Sequence, residues 1–280
     1  MQRRALLLLL LAPALVFPRV ALATPSAPIT AVPGGVARLR LGSAEQPPKA
    51  LLDGHRLLVH PEGGEWVAVL GVPLAARPRS KLSVEVTYAD GKREVLSIRV
   101  VEKKYLTQHV TVAPDQADLP PEQIARYEQQ RAHLQKVLRT FTERNPASLA
   151  LLQPVEGRRS GNFGLRRIVN GKPRSPHGGL DIAAPEGTPI VATGSGQVLD
   201  VGDYLFLGRT VILDHGHGLL SLYAHLSAID VTAGQIVGLG QPIGKVGATG
   251  RVTGPHLHFS VYLNAASVDP EIFLPTASAR

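Results

Sequence analysis

Six of the chain's ten histidines fall in its last 104 residues, and they are spaced as a site would be. His177 and Asp181 frame the segment His-Gly-Gly-Leu-Asp, and His225 sits in Leu-Tyr-Ala-His-Leu. His256 and His258 form His-Leu-His inside Gly254-Pro255-His256-Leu257-His258-Phe259. On a β-strand residues i and i+2 face the same way, so His256 and His258 point together while Leu257 and Phe259 turn into a core. Two imidazoles side by side need something to hold them, either a cation or a reaction. Imidazole nitrogen and carboxylate oxygen at about 2.0–2.2 Å suit Zn²⁺, and three protein ligands with a fourth position left open make a catalytic rather than a structural site. A lone His-x₃-Asp is usually coincidence, and a lone His-x-His on a strand is only suggestive. Set within 82 residues, each beside Gly or Pro turns, the fragments read as one site. Tyr223, two residues before His225, would share its face on a strand and line the same groove, with packing in the core as the open alternative.

These residues need a rigid frame. From about Gly157 onward the chain is punctuated by Gly and Pro, with short apolar runs between, such as Pro189–Ala192, Gly196–Leu199, Thr210–Leu213 and Leu257–Val261. No amphipathic helix interrupts them, which predicts an antiparallel all-β domain. From about Val36 to Val101 the pattern is also strand-like, with Ala37, Leu39 and Leu41 alternating with Arg38 and Arg40. Val84, Val86 and Tyr88 lead into Asp90-Gly91, and Leu96, Ile98 and Val100 leave it, which predicts a hairpin with a type I′ turn. Several such strands over residues 27–112 suggest a small β-sandwich, immunoglobulin-like, with no catalytic pattern of its own. His55, His60 and His109 are isolated and read as surface or packing residues. Between the two, Ile124, Tyr127, Leu134, Leu138 and Phe141 recur at helical spacing, and prolines bound the segment at 120–121 and 146. A linking helix within 120–146 is expected, docking its apolar stripe on a neighbouring domain. The fold class is therefore mainly β, with the C-terminal domain over 155–275.

Composition limits the rest. The 280 residues are 44% apolar and 19% charged, as in an ordinary globular protein, which excludes a disordered tail, a collagen-like repeat or a multi-pass membrane protein. Without cysteine there are no disulfides, thiolate nucleophiles or Cys-type zinc sites, so any metal must be held by His and carboxylates. The net charge is +8, yet residues 155–280 hold 10 basic and 9 acidic residues and are nearly neutral. The mild excess suits ordinary solubility or an anionic partner such as a wall polymer. No basic stripe or aromatic ladder supports nucleic-acid binding. Met1-Gln2-Arg3-Arg4, an apolar run from Ala5 to Phe17 and Ala21-Leu22-Ala23 form the n-region, h-region and cleavage site of a signal peptide over residues 1–23. Thirteen residues make about 20 Å of helix, short of a bilayer core of about 30 Å. The expected product is exported, most simply to the periplasm, and not an integral membrane protein once cleaved, with extracellular or wall location as the alternative.

Five separated stretches, in order, resemble the lysostaphin-like (LytM-domain) zinc endopeptidases that hydrolyse peptidoglycan. They are Ser160–Arg166, His177–Pro185, Asp214–Gly216, Tyr223–Leu226 and Thr253–Phe259. The resemblance covers roughly residues 155–275 and implies a β-sheet groove with one zinc ion at its floor. It assigns His177, Asp181 and His258 as zinc ligands and His225 and His256 as the catalytic pair. It also implies that the Asp214-His215-Gly216 turn is not a ligand, leaving His215 and His217 as turn and surface residues. Ser260 departs from the frequent Glu of the family pattern, and Asn170-Gly171-Lys172-Pro173-Arg174 is inserted before His177; neither removes a ligand. The implied activity is hydrolysis of peptide cross-links in peptidoglycan stems. The alternative is a non-catalytic activator of a cell-wall amidase on the same fold, which can tolerate loss of these residues. By analogy with family members, the N-terminal segments either cover the groove until a regulatory protein partner moves them, or act as a spacer or wall-targeting unit.

Overall fold

A computed structural model describes residues 29–111 and 119–275. The expected signal peptide lies outside the described residues. Among those described, no helix is long and apolar enough to cross a membrane.

The N-terminal half is a sandwich of two sheets. Its strands are β1 (Ile29–Ala31), β2 (Val36–Arg40), β3 (Lys49–Leu52), β4 (His55–Arg56), β5 (Leu58–Glu62), β6 (Glu65–Gly71), β7 (Lys81–Thr87) and β8 (Arg93–Val100). One sheet runs β1-β8-β7-β3-β4 and the other β2-β6-β5. The alternation read from sequence sets the inner faces: Ala37, Leu39, Val84, Val86, Ile98 and Val100 are buried together, and Arg38 and Arg40 face outward. The β7–β8 hairpin is present, but its turn differs from the expected type I′. Tyr88 and Lys92 close a three-residue loop in which only Gly91 has positive φ (86°), and the Asp90 carboxylate accepts the Lys92 N–H at 2.9 Å. A type I′ turn needs two positive φ values, so this is the three-residue hairpin with glycine in the left-handed position. The two-residue turn with both φ positive occurs instead at Asn170-Gly171 (49° and 75°), inside the insertion before His177.

After the sandwich come β9 (Thr107–Val110) and α1 (Pro121–Val137). The helix is shorter than its periodicity predicts. Leu138 caps it, and Phe141 leaves the helical path to stack on His217 at 5.4 Å, with the Arg56 guanidinium over the Phe141 ring, 4.3 Å from its centroid. The Thr142 hydroxyl donates to the Asp214 carboxylate at 2.7 Å and the Thr142 carbonyl accepts from His217 N–H at 2.9 Å. These tertiary bonds outweigh the weak helix preference of Thr140-Phe141-Thr142.

The C-terminal half contains β10 (Arg158–Gly161), β11 (Arg166–Val169), β12 (Lys172–Pro173), β13 (Leu180–Ala183), β14 (Pro189–Val191), β15 (Gly196–Tyr204), β16 (Gly208–Gly216), β17 (Leu219–Ile229), β18 (Ile236–Val237), β19 (Pro242–Val246), β20 (Leu257–Leu263) and β21 (Ala266–Val268). Its large sheet follows β10-β13-β20-β17-β16-β15-β18 with antiparallel neighbours. One face carries Leu180, Ile182, Leu213, Tyr223, Leu257 and Phe259 into a core that continues into Leu58, Val67 and Val69 of the sandwich. On the opposite face Ile212, Leu222 and Ala224 meet Leu134 and Val137 of α1. Gln130 bonds across to Asp203 and Leu205, and Tyr127 packs edge-on against Phe206. The helix thus rests on the sheet through Tyr127, Leu134 and Val137, while Ile124 of the expected stripe stays exposed and no helix residue is fully buried.

Candidate active site

The face of the large sheet that α1 touches also carries the histidines. Register places Asp181 of β13 opposite His258 of β20, and His258 opposite Ala224 of β17. Leu257 and Phe259 are fully buried on the other face, as period-two alternation requires. His177 arrives from the loop before β13, through two glycines. At Gly179 a Cβ would lie 2.5 Å from the Phe259 carbonyl and 2.7 Å from the His258 ring, so only glycine lets the two segments close up.

Three atoms then converge. His177 Nε2, His258 Nδ1 and Asp181 Oδ1 lie pairwise 3.0 Å apart. The remaining ring nitrogens are already engaged: His177 Nδ1 faces the Asn162 carbonyl and His258 Nε2 faces the Ser260 hydroxyl, both at 2.9 Å. Asn162 O can only accept, so His177 carries its proton on Nδ1 and turns a lone pair inward. With Ser260 accepting from His258 Nε2–H, His258 does likewise. Two imidazole lone pairs and a carboxylate aimed at one point repel unless a cation lies among them, and this donor set suits a divalent metal with nitrogen and oxygen preference. Burial alone would raise the Asp181 pKa, but the two histidines against it, His177 and His258, hold it well below the usual carboxylate range. Burial lowers that of His258 despite the neighbouring Asp181 carboxylate. The carboxylate is therefore ionised and the His258 imidazole neutral at neutral pH, as metal ligation requires.

His225 and His256 stand beside this triangle, with ring centroids 4.8 Å apart and His225 5.8 Å from His258. Each uses Nδ1 on a carbonyl at 2.9 Å, Thr249 for His225 and Gly254 for His256, leaving Nε2 for chemistry. His256 Nε2 is 3.8 Å from Asp181 Oδ1. Burial, and then the neighbouring His258, push the His225 pKa down to about 4, so its ring is neutral at pH 7.

The structure thus brings together all five histidine and aspartate candidates, decides between the two readings of Tyr223 and corrects that of His215. Tyr223 does not line a groove: it is fully buried and its hydroxyl bonds to Thr193 and Ser221 at 2.8 and 3.0 Å. The alternation fails because β17 bulges here, Ala224 and His225 opposing Thr210 alone, with His225 at φ 67°. Tyr223→Phe should strand the buried Thr193 and Ser221 partners and cost about 1–3 kcal/mol, measured by denaturant unfolding. Nor is His215 a surface residue. It is 3% exposed, with Nδ1 3.0 Å from the Ser195 carbonyl and Nε2 2.8 Å from Ser221 Oγ.

Sequence reasoning noted Ser260 only as a departure from the frequent Glu of the family pattern and gave it no role, because a serine in the second position after a histidine carries no motif. It is 1% exposed and holds His258 Nε2. Ser260→Ala is expected to weaken metal binding by about 10- to 100-fold, measured by chelator competition, with the fold intact by circular dichroism.

Comparison with known proteins adds a family to this geometry. The profile described as "Peptidase family M23" matches residues 175–270, and "Peptidase family M23 N-terminal domain" matches residues 30–103. A crystal structure assigned to peptidase M23 from Pseudomonas aeruginosa is 42% identical, with a TM-score of 0.72, over 86% of this chain and 94% of that one. The peptidoglycan DD-endopeptidase ShyA of Vibrio cholerae is 41% identical over 130 residues, which is 45% of this chain and 30% of that protein. The DD-carboxypeptidase/endopeptidase Mpg of Neisseria meningitidis is 45% identical over 101 residues, 36% of this chain and 23% of that protein. The chain thus spans less than a third of the length of these two curated relatives.

Proposed function

The chain belongs to peptidase family M23, and from that premise we propose that it is an exported, zinc-dependent endopeptidase that hydrolyses peptide cross-links of peptidoglycan. The observation that carries this reading is the triangle of three inward lone-pair donors, His177 Nε2, Asp181 Oδ1 and His258 Nδ1, next to two histidines with free Nε2 atoms. The relatives named as peptidoglycan DD-endopeptidases supply the substrate class. The signal-peptide pattern of residues 1–23 supports export, with the periplasm as the expected compartment.

His177, Asp181 and His258 would hold the ion. The chemistry an ion held there would supply is a bound water acidified toward a pKa of about 7 and a polarised scissile carbonyl. The chain's own groups then move the protons. His225, neutral and fixed in one tautomer by the Thr249 carbonyl, accepts a proton from the attacking water on Nε2. His256, its Nδ1–H donated to the Gly254 carbonyl, aims its Nε2 at the same space and, as an imidazolium, donates from Nε2–H to the oxygen on which charge develops. The proton taken up by His225 returns to the leaving amine, so each imidazole ends in the protonation state in which it began. The buried backbone frame, with His225 held at φ 67° by the β17 bulge, sets these atoms before substrate arrives.

The reading is tested by incubating mature protein, residues 24–280, with purified peptidoglycan, with and without one equivalent of zinc, and resolving the fragments by mass spectrometry. Zinc-dependent loss of cross-linked dimers with release of new stem-peptide termini is expected. Intact cross-links at saturating zinc count against it.

A further inference from the structure

We infer that the N-terminal half is a structural part of the metal site, and that Tyr105 is the residue through which it positions His177. This rests on the assignment of His177 as a metal ligand above.

His177 is held on three sides by one short segment. Its Nδ1 donates to the Asn162 carbonyl at 2.9 Å, its N–H to the Leu165 carbonyl at 2.9 Å, and its carbonyl accepts from Gly164 N–H at 2.8 Å. Residues 162–165 are thus the mould for this ligand. The mould is not supported by the large sheet alone. Tyr105 fills the space over Gly164, where a Cβ would fall 2.2 Å from its ring, and it meets Phe163 edge-on at a centroid distance of 6.1 Å. Phe163 is itself buried, and its ring closes on Gly34 of the sandwich, where a Cβ would lie 2.4 Å from it. The Tyr105 hydroxyl donates to the Pro33 carbonyl at 2.6 Å, which ties the wedge to the sandwich. Just beyond, Arg166 N–H donates to the Leu106 carbonyl at 2.9 Å, and β9 pairs in parallel with β11 from Thr107–Arg166 to Val110–Val169.

A sandwich strand end, an aromatic wedge and a parallel strand from the N-terminal half therefore grip the segment that orients the first ligand. Tyr105 and residues 162–165 fall between the two family matches, 30–103 and 175–270, whereas Pro33, Gly34 and His177 lie within them. Ligand orientation by outer contacts sets metal affinity, because a ring free to rotate loses its lone-pair direction. At this joint the N-terminal half is a support, distinct from α1, which touches the sheet further along.

The test measures zinc affinity of the full mature chain by competition with a chromophoric chelator. Tyr105→Ala should bind zinc about 10- to 100-fold more weakly, while Tyr105→Phe, which keeps the wedge, stays close to wild type. Asn264→Gly is the control. It removes the Asn264 bonds to Gly71 N–H (2.7 Å) and carbonyl (3.1 Å), loosening the same interdomain joint away from His177, and suits the φ of 43° there. Its zinc affinity should not change. Should Tyr105→Ala not fold, Tyr105→Leu takes its place. Wild-type affinity in the Tyr105 variant overturns the inference, as does an equal loss in Asn264→Gly, which would mark a general loosening. A wild type that takes up no zinc would instead sink the metal assignment and this inference with it.

Discussion

Protein carrying His258→Ala is expected to lose zinc and cross-link hydrolysis together. His258 sits at the centre of the site: Asp181 on one side and Ala224 on the other are its register partners, and its Nδ1 is 3.0 Å from both His177 Nε2 and Asp181 Oδ1. Alanine leaves two donors for an ion that needs three from the protein. Peptidases owe rate enhancements of at least about 10⁶-fold to such machinery, so turnover should fall to background. Metal content by elemental analysis, beside mass spectrometry of digested peptidoglycan, checks both halves. A variant that kept one zinc per chain and full hydrolysis would refute the three-donor assignment. A variant that lost hydrolysis while its effect on cells persisted would favour the non-catalytic activator.

His225→Asn should separate chemistry from metal binding. His225 Nε2 is outside the donor triangle, and its ring is held through Nδ1 on the Thr249 carbonyl. Its backbone has φ 67°, which asparagine tolerates better than alanine, so the bulge should survive the exchange. Removing a positioned general base typically costs about 10²–10⁴-fold in rate. The expected result is a kcat lowered by that factor with KM and zinc affinity near wild type. A comparable loss of zinc would mean that His225 ligates, and an unchanged kcat would move the proton transfer to another group.

The sandwich core was legible because alternation in β2, β7 and β8 is a local property: Leu39, Val84 and Ile98 are buried wherever their strands pair. Helix α1 was legible as far as Val137, where bonds to residues about 70 positions away take over. The turn types were not, since Asp90-Gly91 and Asn170-Gly171 are near-equivalent dipeptides, and loop length and flanking pairing decide which φ values each adopts.

The sequence by itself determined the chemistry of the site. Residue type fixes what a side chain can donate, accept or ligate, and the i, i+2 rule fixes that His256 and His258 share a face against Leu257 and Phe259. It also determined the mainly β class, through periodicities that need no partner to be read. Only the tertiary structure decided which side chains meet. A single bulge in β17 sends Tyr223 into the core and His225 to the site. The backbone carbonyls of Asn162, Thr249 and Gly254 choose each histidine's tautomer. The support of His177 by Tyr105 spans 72 positions of chain. Such contacts follow from packing and hydrogen-bond satisfaction between segments remote in sequence, which no local spacing encodes.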